Sequence, residues 1–66
     1  MTTIEARIIL GLRDDDVPTK EGLQGLRRMN EEQLARSLDR RGNAKRRREI
    51  AAIDKLLYWM DTYGKA

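Results

Sequence analysis

The stretch from Ile50 to Tyr63 constrains the fold more than any other part of the chain. At ~100° of turn per residue, Ile50, Ile53, Leu57 and Met60 fall on one stripe, and Ala52, Leu56, Trp59 and Tyr63 on an adjoining one. Together the stripes span roughly half the circumference, more than the apolar arc of an ordinary surface helix. Asp54, Lys55, Tyr58, Asp61 and Thr62 occupy the other half. A helix over residues 44–63 with so wide an apolar face either sits centrally among other helices or buries its second stripe against another molecule. The expected fold is all-α: a small bundle of three to four helices packed around this amphipathic C-terminal helix.

Shorter helices are expected before it. Thr2 and Glu5 are spaced as a capping box, which satisfies the unpaired amides at a helix start. Ile4, Ile8 and Leu12 follow at four-residue steps, so a first helix is expected over 3–12. The run Ile8, Ile9, Leu10 also fits a short strand, but the chain offers no second clear strand to pair with it. Residues 13–18 read as a loop, because three successive Asp repel one another and Pro18 lacks an amide donor and suits a helix start. A second helix is expected over 19–29, with Leu23, Leu26 and Met29 inward. Gly22 and Gly25 each weaken it by about 1 kcal/mol relative to Ala, or let another helix come close.

Asn30, with Gln33 three residues later, predicts a new cap and a third helix over 31–40 that turns Leu34, Ala35 and Leu38 inward. Gly42 then reads as the stop of that helix and Asn43 as the cap of the last one. An alternative joins the last two helices into one rod. Ala44 is the only apolar residue between Asp39 and Glu49, so no continuous core stripe crosses this region, which favours the break.

The chain of 66 residues makes one helical domain, with an acidic half over 1–35 and a basic half over 36–66. The first carries five cations and seven anions, net −2, and the second nine cations and four anions, net +5. A chain this short buries only about 60% of the surface it exposes when unfolded. With neither Cys nor His, it has no disulfide brace and no typical zinc site. A single core of this size rarely supplies more than ~3–5 kcal/mol, so homo-oligomer formation or folding against a partner is expected. The absence of Cys fits a reducing compartment, no segment approaches the ~20 apolar residues of a membrane span, and the N-terminus has no secretory pattern. A cytoplasmic location with no membrane partner is expected.

The candidate site is a basic run: Arg36, Arg40, Arg41, Lys45, Arg46, Arg47 and Arg48, opposed only by Asp39. Cations in the first turns of the last helix oppose its dipole, and local conflicts of this kind mark functional sites. Arg outnumbers Lys ten to four, and Arg makes forked contacts with phosphate or carboxylate. Three readings follow: a clamp on nucleic-acid phosphates (DNA or RNA), a docking patch for an acidic protein surface, and a solvated face paired internally with Asp14, Asp15, Asp16, Glu31 and Glu32. Leu34, Ala35 and Leu38 resemble the start of a helix-turn-helix. That pattern wants a Gly where Asp39 stands and an apolar residue where Lys45 stands, so phosphate contact is expected in preference to sequence readout.

Leu56, Trp59 and Tyr63 form the candidate partner or dimer interface. Trp59 and Tyr63 also have the character to stack on bases, though aromatics at this spacing more often serve a core. Asp14, Asp15 and Asp16 miss the EF-hand pattern and read as an acidic turn, so no metal and no cofactor are implied. The common nucleophile–base pairs are missing, since Ser37 is the only Ser and has no His to activate it, and no catalytic residue is assigned. The leading expectation is a small non-enzymatic nucleic-acid-binding or regulatory protein. The alternative is an inhibitor or adaptor that docks its C-terminal helix on a larger host protein. In its unelaborated style the chain resembles accessory proteins of bacteriophages or small bacterial regulators, though no motif carries that resemblance.

Overall fold

Helix α1 begins where the Thr2 hydroxyl accepts the N–H of Glu5 at 3.1 Å, and it spans Thr3–Ile9. The computed structural model describes residues 1–13 and 15–63. The helix is shorter than the expected 3–12 because Gly11 takes a left-handed conformation, φ 71°. The Leu12 N–H then reaches the Arg7 carbonyl at 2.9 Å and the Gly11 N–H the Ile8 carbonyl at 3.0 Å, a Schellman ending that turns the chain away. Beyond it, the Arg7 guanidinium donates to the carbonyls of Arg13 and Asp16 and pins the following loop.

Helix α2 spans Lys20–Arg36 and replaces two expected helices with one. Thr19 is its cap, accepting the Gly22 N–H at 3.0 Å, and Pro18 lies one residue outside the cap. The expected break at Asn30 does not occur. Asn30 is buried, and its side-chain amide donates to the Leu26 carbonyl four residues back at 3.1 Å. An Asn whose side chain is satisfied within the helix has no need to leave it for a cap. Glu31 continues the helix and pairs with Arg27 one turn earlier.

The break falls instead at Ser37–Asp39, and α3 spans Arg40–Tyr63. The Asp39 carboxylate accepts the Arg41 N–H at 3.1 Å and its carbonyl the Asn43 N–H at 2.9 Å, which makes it the cap. The Ser37 hydroxyl accepts the Asp39 N–H, and the Ser37 carbonyl accepts the Asn43 side-chain amide. Gly42, expected as a stop, lies inside the first turn. A Cβ there would stand 2.8 Å from the Asp39 carboxylate and 3.1 Å from the Arg46 guanidinium. A side chain at this position would displace the ends of these two groups.

Three helices thus run through the described residues, and no helix among them is long and apolar enough to cross a membrane. Cross-links between Lys20 and Asp61, Arg27 and Asp54, and Gln33 and Arg46 follow antiparallel order, so α2 and α3 form a helical hairpin. The helix-turn-helix reading does not describe this pair, because its second helix crosses the first and does not run back alongside it. Helix α1 packs on α3 and makes no close backbone approach to α2. The core is the seam between the two apolar stripes of α3, Ala52, Ile53, Leu56 and Met60, closed by Ala6 and Leu23. Ile9, Leu10, Leu12 and Leu57 pack at its margin. Leu26, Met29, Ala35 and Leu38, expected inward, are exposed, Leu38 at 98% because it sits in the loop after α2.

Candidate nucleic-acid interface

The site is built by extending α3 back to Arg40. Cations scattered along the sequence then acquire angular positions on one straight helix. At ~100° per residue, Arg47, Arg40, Lys55, Arg48, Arg41 and Lys45 fall within a sector of about 160° that holds no carboxylate. The three acids inside α3 lie elsewhere. Asp54 and Asp61 point toward α2, where Arg27 binds the first at 2.7 Å and Lys20 the second at 3.0 Å. Glu49, half-buried, lies about 40° beyond Lys45, outside the sector's other edge. The hairpin thus draws the negative charge of α3 to its inner edge and leaves the outer face purely basic.

Arg36, Arg40, Arg41, Lys45, Arg47 and Arg48 are all exposed, and among the described residues none lies within salt-bridge distance of a carboxylate. Arg36 comes from the last turn of α2, and the three-residue connection places it at the same end of the hairpin. Internal pairing with the acidic half does not occur among the described residues: Glu31 is taken by Arg27, and the Asp16 side chain accepts the Arg13 N–H at 2.8 Å. Asp14 lies outside the described residues. Among the described residues no group of three or more acids could hold a metal ion.

Arg46 stands apart from its neighbours. It is half-buried, donates through Nε to the Gln33 side chain at 2.8 Å and through Nη1 to Asn43 at 3.2 Å, and so ties α3 to α2. Its guanidinium faces the hairpin seam, away from the outer sector. The expected run of seven cations therefore divides into six without a carboxylate partner among the described residues and one that is committed to the fold.

Leu56 of the expected partner interface is buried in the core, 4% exposed. Trp59 and Tyr63 remain at the surface, 38% and 62% exposed, with ring centroids 5.5 Å apart and planes tilted by 43°. They sit toward the far end of α3, about 16 Å along the axis from Arg48 to Trp59. Two shallow depressions flank α2, one lined by Gln24, Arg27, Arg28, Glu31 and Leu57, the other by Met29, Glu32, Gln33 and Arg36.

The linear run conceals two further groups. Ala44 and Ala51 are exposed within the basic sector, and Lys55 extends that sector by two turns. The steps 40, 44, 47, 51, 55 and 58 carry this pattern in the sequence, visible once the helix is known to begin at Arg40. Comparison with protein-family models, with curated proteins and with solved structures finds no match.

Proposed function

We propose that this is a non-enzymatic nucleic-acid-binding or regulatory protein that holds phosphates with Arg36, Arg40, Arg41, Lys45, Arg47 and Arg48. The observation that carries the reading is the outer sector of α3: cations without carboxylates, of which Arg40 and Arg41 stand in the first turn, where positive charge is unfavourable. An anionic ligand relieves both the mutual repulsion and the conflict with the dipole. Phosphate suits the chemistry because exposed Arg side chains form forked charge-assisted bonds to it. The test is fluorescence anisotropy with labelled nucleic acid across a range of salt. Neutralising six phosphates gives a log–log slope of about −5 on duplex and about −4 on single strands. Absence of binding at low salt refutes the reading and turns attention to an acidic protein surface.

A second reading concerns a second copy of the chain. Met1, Ile4 and Ile8 form an exposed stripe on the outer side of α1, and Trp59 and Tyr63 add apolar surface on α3. Sedimentation at several concentrations tests this reading: a mass that stays monomeric at high concentration refutes it.

A further inference from the structure

Building on the phosphate-binding reading, we infer that the ligand is duplex DNA and that α3 lies in its major groove. The face turned to the groove floor is Arg40, Ala44, Arg47 and Ala51. All four are exposed, and they follow one another at helical steps along one edge of the basic sector. Ala44 and Ala51 carry nothing beyond Cβ, so the helix backbone can come close between the two arginines. A helix with its side chains is about 10–12 Å across, and the B-form major groove is about 12 Å wide. From Arg40 to Lys55 the helix rises about 22 Å, the length of about six to seven base pairs. Arg41, Lys45 and Arg48 line one side of this face, within reach of one strand's phosphates. Arg40 and Arg47 at its centre face base edges, where guanine offers the paired acceptors that a guanidinium fits.

Other polyanions fit less well. The major groove of A-form RNA is too deep and narrow for side chains to read. Single-strand binders interleave cations with aromatic stacking platforms. Here the exposed aromatics Tyr58, Trp59 and Tyr63 all follow Lys55 at the far end of α3, and between Arg36 and Arg48 there is no aromatic residue.

The experiment compares labelled duplex DNA, duplex RNA and single-stranded DNA of matched sequence at one low salt concentration, with the wild-type chain and an Ala44→Leu, Ala51→Leu double variant. Both sites are exposed and helical, and circular dichroism confirms that the variant is folded. The expected result is tighter binding to duplex DNA than to duplex RNA, by about tenfold, and a comparable loss on duplex DNA alone in the double variant. Equal binding to DNA and RNA duplexes, tighter binding to the single strand, or an unaffected double variant overturns the groove assignment and leaves the phosphate reading standing. No binding to any of the three overturns both.

Discussion

Replacing Arg47 and Arg48 together, compared with replacing Arg46 alone, separates a surface that binds phosphate from a run that is merely basic. Both Arg47 and Arg48 are exposed on the outer sector, whereas Arg46 is held by Gln33 and Asn43. With six contacts, the salt slope on duplex is about −5.4, so binding weakens about a thousandfold between 50 and 200 mM salt. Arg47→Ala with Arg48→Ala leaves four contacts, a slope of about −3.6 and a loss of about a hundredfold over the same range. Arg46→Ala removes no outward cation and leaves the slope unchanged. Its effect falls on the fold: losing two half-exposed hydrogen bonds to a charged group costs about 1 kcal/mol, after discounting for solvent. For a chain of this size that lowers Tm by about 4–8 °C. Anisotropy titrations at four or more salt concentrations, beside thermal melts followed by circular dichroism, read both quantities on the same samples. Equal slope changes for the two variants would show that charge count alone matters and would refute the division of the run. An unchanged slope in the double variant would place the phosphate contacts elsewhere.

Three further outcomes are expected. Ile53 is completely buried, and Ile53→Ala removes about 2–5 kcal/mol, comparable to the whole stability of so small a core, so the helical signal in circular dichroism is lost near room temperature. Gly25 sits mid-helix, and a Cβ there would meet nothing within 4 Å, so Gly25→Ala stabilises by about 1 kcal/mol, whereas Gly42→Ala gains less because its Cβ meets the Asp39 carboxylate; denaturant midpoints that rise equally for both would refute the role given to Gly42. Asp39→Ala removes the cap of α3 and costs about 1 kcal/mol, and Asp39→Asn recovers most of it in the same melts.

The architecture was legible where one residue's local chemistry settles the backbone. Thr2 caps α1 as its spacing to Glu5 implies, and the apolar stripes of the last helix meet the core along their shared edge. Helix ends were less legible because the same residue types serve two purposes. Asn30 caps a helix when its side chain turns to the following amides, and continues one when it bonds to the carbonyl four residues back. Burial against the hairpin decides between these, and burial is a property of the assembled fold. Gly42 poses the same ambiguity: a glycine after a polar run suggests a stop, yet here the space it leaves is used by side chains three residues before it and four after. The position of the basic cluster could be read directly, but its division could not, because Arg46 is recruited by Gln33, thirteen residues away. Nor could the linear charge count show that the acids of α3 all turn away from the outer sector.

The attachment of α1 has a consequence for how the molecule comes apart. This helix has seven residues, and its close backbone approach is to α3 and not to α2. A helix so short cannot persist in water by itself, since nucleation is unfavourable and few bonds reward it. The α2–α3 hairpin is held along its length by its own cross-links and does not depend on α1 for them. The two parts therefore differ in protection: amides of α1 exchange with solvent through a local opening, while those in the middle of α3 wait for a rarer event. Each such opening bares the part of the α3 apolar face that α1 had covered, on a helix whose other end is strongly cationic. The exchange rate of the α1 amides, set against that of the α3 middle, thus reports how often that surface is bared.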